Sequence, residues 1–208
     1  MRRFCDVLDP RPGDHLLDVG GYPDFWKEAD FEGSMTILNV HPVQSTDRRI
    51  ATVVGDGTNL TYPDRSFDIV FSNSVIEHLG TLERQERFAN ECARVGQQIW
   101  VQTPARSFPI EPHYLTPFIH FFPISWRRKL LRNWTVWGWM TRPSEDQIES
   151  SLGEIRLLNY VEMRRLFPDC RIIRERVLGL TKSYIAVRAR NDIAKTANAR
   201  ELTRRQRE

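Results

Sequence analysis

The stretch that most constrains this chain is Ser66-Phe67-Asp68-Ile69-Val70-Phe71-Ser72-Asn73-Ser74-Val75-Ile76-Glu77-His78-Leu79. Its apolar run reads as a buried strand that passes through small polar residues straight into a helix. In an open parallel sheet, ligands bind in the crevice beyond the carboxyl ends of the strands. Ser72, Asn73 and Ser74 therefore stand where a small molecule would be held.

Short apolar runs alternate with amphipathic ones through the first half of the chain, as expected of strands joined by crossover helices. Strands are predicted at 14–20, 35–40, 49–54, 67–72 and 98–103, all apolar enough for a sheet interior. A short helix is predicted at 24–30. A longer one covers 82–95, where Leu82, Phe88, Ala89, Cys92 and Val95 recur at helical spacing. Beyond Pro104 the pattern breaks into a Pro- and aromatic-rich segment to about 142 and a polar one to 155, read together as an insertion without sheet. The fold resumes with a helix at 159–167 and two runs, 171–178 and 183–190, around the turn-favouring Gly179. They predict a closing antiparallel hairpin. Residues 1–190 thus read as one α/β domain, with the insertion at about 104–155 and a basic tail at 191–208.

The length of 208 residues suits one domain, and a net charge of +3 does not imply wholesale nucleic-acid binding. Cys5, Cys92 and Cys170 show no paired spacing for zinc or a disulfide framework, which suits a reducing cytoplasm. No apolar run is long enough to cross a bilayer, and the charged start lacks the apolar core of a secretory signal. A soluble protein is expected, cytoplasmic or peripheral to the inner membrane face.

Three further segments fall in order: Leu16-Leu17-Asp18-Val19-Gly20-Gly21, Ile37-Leu38-Asn39-Val40-His41-Pro42 and Gly55-Asp56-Gly57-Thr58-Asn59-Leu60. With the strand–helix junction above, they closely resemble the class I S-adenosylmethionine-dependent methyltransferases. The resemblance implies a Rossmann-like, mostly parallel seven-stranded sheet flanked by helices, and S-adenosylmethionine as cofactor. It places Asp18, Gly20 and Gly21 at the methionine end, Asn39 at the ribose, Asp56 and Gly57 at the adenine, and Ser72, Asn73 and Ser74 on the cleft floor. Taken singly, Gly20-Gly21 is also a tight turn and Asp56 also a turn residue bonded to its own backbone. Two departures stand out. The glycine turn continues as Tyr22-Pro23-Asp24-Phe25-Trp26, with Trp26 expected in the core, and Asn39 replaces the usual acid, so that Asn39→Asp is expected to retain or tighten cofactor binding.

Methyl transfer is an in-line displacement at an activated carbon, so alignment dominates and a base is needed only when the acceptor carries a proton. His78 and His113 are the candidate bases, Glu77 or Glu111 could position an acceptor hydroxyl, and no metal is expected. In the insertion, Phe118, Ile119, Phe121, Phe122, Ile124, Trp126, Trp134, Trp137, Trp139 and Met140 are interleaved with cations. They could form a lid over the acceptor, a membrane-contacting surface from Trp126 to Trp139, or a satellite core. The run Thr103-Pro104-Ala105-Arg106-Ser107-Phe108-Pro109-Ile110-Glu111-Pro112-His113-Tyr114 resembles bacterial methyltransferases associated with small molecules or surface glycans. A small-molecule or lipid- or glycan-linked acceptor is therefore expected. The altered turn also suits a non-catalytic scaffold, and the basic tail leaves an RNA methyltransferase as an outside reading.

Overall fold

Seven strands lie side by side in the order β3-β2-β1-β4-β5-β9-β8. In chain order, β1 is His15–Val19, β2 Ser34–Asn39, β3 Ile50–Val54, β4 Phe67–Asn73 and β5 Gly96–Pro104; β6 (Ile110–Glu111) and β7 (Thr116–Pro117) form a separate two-residue hairpin; β8 is Arg171–Val177 and β9 Leu180–Arg188. The computed structural model describes residues 1–29 and 31–192, so most of the predicted basic tail, 193–208, and the predicted end of the 24–30 helix lie outside the described residues. β1 to β5 are parallel, and β9 runs antiparallel to both β5 and β8. The expected mostly parallel sheet and C-terminal hairpin are both present. A two-residue turn joins the hairpin strands, with Leu178 and Gly179 both at positive φ, the geometry that matches the twist of the flanking strands.

The strand order decides where a ligand can sit. From β1 the chain steps outward to β2 and β3, then returns to the other side of β1 as β4. The crossover loops above β1 and β4 leave in opposite directions, which opens a crevice at their carboxyl ends. Alternation along these strands sends Leu17, Val19 and Val70 toward one core and Leu16, Ile69 and Phe71 toward another. The first is completed by Phe88, Ala89, Cys92 and Val95 of α3 (Leu82–Val95, the third helix). The second is completed by Phe4 and Leu8 of α1 (Arg2–Leu8) and by Trp26 of α2 (Pro23–Trp26). Full burial of such side chains stabilises by about 1.5–3 kcal/mol each, which is why two faces of one sheet can be covered by so few helices.

Three local expectations change. β3 is an edge strand whose residues from Ala51 to Val54 are exposed, Val54 by 59%, because the sheet ends there; its apolar content does not place it in the interior. β4 does not run straight into a long helix. Ser74 adopts positive φ, a 3-10 turn spans Ile76–Leu79, and α3 starts only after Thr81, whose side chain accepts from the Arg84 N–H. The helix after β1 is also shorter than predicted, a single turn with Pro23 at its start.

The insertion, read from the sequence as free of sheet, is mostly helical but holds the short β6–β7 hairpin, where the chain doubles back between Glu111 and Thr116. It carries α4 (Ile124–Trp134), α5 (Val136–Thr141) and α6 (Glu145–Glu154), and α7 (Tyr160–Leu166) follows as the predicted return to the fold. An isolated bridge between Ala105 and Leu158 closes its neck. Tyr114, Ile119, Leu131, Ile148 and Leu152 form its own small core. The satellite core expected of the aromatics is thus built largely from other residues: of the aromatic series only Ile119 and, at its edge, Trp137 take part. Phe118, Phe121, Phe122, Trp126, Trp134, Trp139 and Met140 are exposed. No helix among the described residues is long and apolar enough to cross a membrane.

Candidate active site

Asp18, near the end of β1, is buried, and one carboxylate oxygen accepts from the Trp26 indole N–H at 2.7 Å. The other oxygen, Oδ1, has no hydrogen-bond partner. Burial, only partly opposed by the indole bond, pushes the Asp18 pKa up to about 7. Trp26 is in the core as expected, and it also orients this acid. The turn above must be glycine for two separate reasons. Gly20 has φ +84°, and a Cβ on Gly21 would lie 1.7 Å from the Asp18 carboxylate. Tyr22, the next residue of the turn, is 57% exposed.

Asn39 is spent on the same turn. Its Nδ2 donates to the carbonyls of Gly21 at 3.1 Å and Gly20 at 3.4 Å, and its Oδ1 accepts from the His41 N–H. Ser72 is buried and donates to the Val19 carbonyl at 2.9 Å, tying β4 to β1 instead of facing a cleft. Asn73 and Ser74 are exposed at the strand end, with their side chains 3.4 Å apart. Asp56 accepts from the N–H and hydroxyl of Thr58, which, backbone bond foremost, hold its carboxyl below the usual range; Arg84 lies 3.8 Å away. Its turn role is therefore plain to see. Gly57 packs between β1 and α3, where a Cβ would sit 2.7 Å from Val19 and 2.9 Å from Phe88.

The two histidines, 35 residues apart in sequence, meet with their Nε2 atoms 3.1 Å apart. Nδ1 of His113 lies 2.6 Å from Oε1 of Glu111, whose other oxygen accepts from the Tyr114 N–H. The insertion thus delivers His113 to His78 on the turn after β4. Crowding and the charge of His113 draw His78 below the usual imidazole pKa. Burial pushes His113 the same way, but the hydrogen bond and charge of Glu111, with the charge of Glu77, outweigh it and leave His113 raised. Glu77 is buried, accepts from the Thr103 hydroxyl at 2.9 Å, and keeps Oε1 without a partner; burial lifts its pKa. Glu77, His78 and His113 offer ligand atoms within 4.8 Å of one another, a set that could hold a divalent cation although no metal was expected from the sequence.

Sequence reasoning missed the cavity beside this cluster. About 190 Å³ in volume, it is lined by Glu111, Tyr114 and His120 from the first part of the insertion, by Arg106 at its neck, by Arg127 on α4, and by Ile155, Arg156 and Leu157. The only sequence signal was the interleaving of cations with aromatics, which does not say which cations face inward.

A "Methyltransferase domain" family model matches residues 30–98, from just before β2 to the first residues of β5. Two curated plant proteins are similar over 90 residues: phosphoethanolamine N-methyltransferase of Triticum aestivum at 31% identity and phosphoethanolamine N-methyltransferase 3 of Arabidopsis thaliana at 30%. Each match takes in 38% of this chain and 18% of the relative, so the chain corresponds to under a fifth of their length. Among solved structures, a SAM-dependent methyltransferase from Methanosarcina mazei superposes with a TM-score of 0.51 at 13% identity, covering 90% of this chain and 96% of that one. A protein described as a methyltransferase from an antibiotic biosynthesis pathway of Anabaena variabilis gives 0.52 at 15%, covering 90% and 95%.

Residues 30–98 are thus similar to a methyltransferase domain, and the chain shares its fold with solved S-adenosylmethionine-dependent methyltransferases. The residues of this chain fit S-adenosylmethionine, the cofactor that the resemblance implies, at its methionine end. A buried acid with one orphaned oxygen lies beneath a turn of two glycines, with Val75 packed against Gly20. The ribose end is altered, because Asn39 already braces the turn.

Proposed function

We propose that this chain transfers the methyl group of S-adenosylmethionine to a small-molecule or lipid- or glycan-linked acceptor. The observation that carries this reading is the unpartnered Asp18 oxygen under the Gly20-Gly21 turn, at the reversal between β1 and β4. Asp18, Gly20 and Gly21 hold the methionine end, Asp56 and Gly57 the adenine edge, and Asn73 and Ser74 the rim, while Asn39 and Ser72 fix the turn and strand that carry the others. When bound, the cofactor supplies the electrophilic methyl group. The chain's own work is to align the acceptor and, where it carries a proton, to receive it. The His78–His113 pair accepts that proton, and the positive charge settles on His113 beside Glu111. A phosphorylated amine, the substrate named for the curated plant relatives, is one member of the acceptor class.

The acceptor's setting is read from the insertion. Trp134 on α4 and Met140 on α5 are 73% and 75% exposed, and α4 also carries the exposed Lys129 and Arg132, a combination suited to the boundary of an anionic bilayer. We infer that this face rests on a membrane surface. Titration calorimetry with S-adenosylmethionine and its demethylated product tests the first reading: binding of both, lost in Asp18→Ala, is expected, and binding of neither sinks it. Co-sedimentation with anionic vesicles, lost on replacing Trp126, Trp134 and Trp139 by alanine, tests the second; no sedimentation removes it.

A further inference from the structure

Two arginines in the cavity beneath the insertion have no acidic partner. Among the described residues, Arg106 and Arg127 enter no ion pair and no side-chain hydrogen bond, and Nε of Arg127 is buried without a partner. Arg156, on the same wall, shows the contrast, since its guanidinium is committed to Gln85 and Glu162. The one carboxylate in the lining, Glu111, has both oxygens engaged, by His113 and the Tyr114 N–H. His120 donates from Nε2 to the Arg106 carbonyl, leaving Nδ1 buried and unpartnered. Uncompensated positive charge and idle donors therefore converge on a half-open cleft of about 190 Å³, with Arg106 at its exposed side. Guanidinium groups placed this way match the oxygens of a tetrahedral anion.

We propose that this cavity binds a phosphate group of the methyl acceptor, gripped by Arg106 and Arg127, with Nδ1 of His120 meeting a phosphate hydroxyl or, once protonated, an oxygen. Glu111 lines the cavity with one edge and holds His113 with the other. Phosphate seated here puts the rest of the acceptor beside the His78–His113 pair. Only the description of the phosphate as part of an acceptor rests on the methyl-transfer reading; the anion site stands on its own geometry.

The test is titration calorimetry of the full chain with inorganic phosphate and with glycerol 3-phosphate, at constant ionic strength. One saturable site is expected, weakened tenfold or more in the Arg106→Gln/Arg127→Gln double variant. Neither guanidinium holds another part of the chain, so unchanged melting and unchanged S-adenosylmethionine binding are expected in that variant. No saturable phosphate binding, or equal binding by the double variant, overturns the proposal. Phosphate binding without S-adenosylmethionine binding would leave this site standing and remove the methyl-transfer reading. A second arm compares vesicles containing phosphatidic acid with neutral ones. Sedimentation that needs Arg106 and Arg127 assigns the phosphate to a lipid headgroup, and soluble phosphate esters bound with no such vesicle dependence assign it to a free metabolite.

Discussion

The sheet and the insertion solve the problem of placing a polar site in opposite ways. At the carboxyl ends of β1 to β4, polar side chains are used on one another and on backbone: Asn39 on the glycine turn, Ser72 on Val19, Asp56 on Thr58. Asp18 and, just past β4, Glu77 each keep one oxygen in reserve. In the insertion the reverse holds, with Arg106, Arg127 and His120 facing a cavity with unmet capacity and large aromatics facing outward. The first region is a braced floor, in which Asn39, Ser72 and Asp56 are each held by a local partner. The second is a recognition surface, held by a core of only a few side chains. On the proposed reading, a chain built this way keeps its cofactor half generic and places acceptor choice in the added helices.

The sharpest attack on the braced floor is Gly21→Ala, because the new Cβ has to displace the Asp18 carboxylate. S-adenosylmethionine affinity should fall more than about 100-fold, the scale expected when a close-packed turn is forced apart. Phosphate binding in the insertion should survive. Titration calorimetry reads both ligands, and parallel loss of the two would show that floor and insertion are not separable.

Asp18→Asn probes the same floor through stability. The Asp18 carboxyl titrates near 7 in the fold against 3.8 when unperturbed, so between about pH 4 and 7 the folded chain binds the extra proton. Its contribution is therefore most favourable at low pH and declines as pH rises through that window, by roughly 4 kcal/mol in all. Asparagine keeps an acceptor for the Trp26 indole without the charge. Denaturant melts should show the variant gaining stability over the parent at pH 8 but not at pH 4; equal pH slopes would mean that the acid is not held as described.

Leu131→Ala tests the other side of the comparison. This fully buried side chain anchors α4 in the insertion core, and its truncation should cost about 2–5 kcal/mol. Hydrogen exchange should rise in α4 to α6 while β1, β4 and β5 stay protected. Uniform loss of protection would make the insertion an integral part of the main fold.

The His78–His113 pair joins the two regions, and the pH dependence expected if it accepts the proton follows from His113. Transfer to a protonated acceptor should speed up as pH rises through a value above the ordinary imidazole pKa of about 6.5, because His113 must lose its proton before the pair can take one. His113→Asn should slow the reaction by about 100-fold and remove that limb, and an unchanged profile would place the base elsewhere. Rates that fall on treatment with a chelator would instead assign Glu77, His78 and His113 to a metal ion.

How much of this was legible in the sequence follows the same division. Strand positions, the crevice at the end of β4 and the glycine turn were readable because periodicity and backbone needs are local properties. The exposure of β3 was not, since an apolar run carries no record of lying at the edge. The helix at Glu145–Glu154 hid inside a polar stretch, although the Ser144 and Gln147 capping box that opens it was there to be read. The meeting of His78 with His113 was beyond reach, because it depends on how the insertion folds back over the strand ends.

Asn39→Asp carries the smallest expected effect and the most pointed lesson. Judged by residue type alone, an acid at this position should hold the ribose diol at least as well as the amide. The geometry reverses that expectation. The Nδ2 group donates to Gly21, and more weakly to Gly20, and an aspartate would set a carboxylate oxygen against those two carbonyls. Losing the donor and burying an unpaired acceptor costs about 1–3 kcal/mol, more than one charge-assisted bond to a sugar hydroxyl restores once the turn has moved. The melting temperature of the cofactor-free chain should drop, and S-adenosylmethionine affinity should fall several-fold. Tighter binding by the aspartate variant would mean that residue 39 releases the turn when the cofactor arrives, and that the floor is less firmly braced than the insertion it supports.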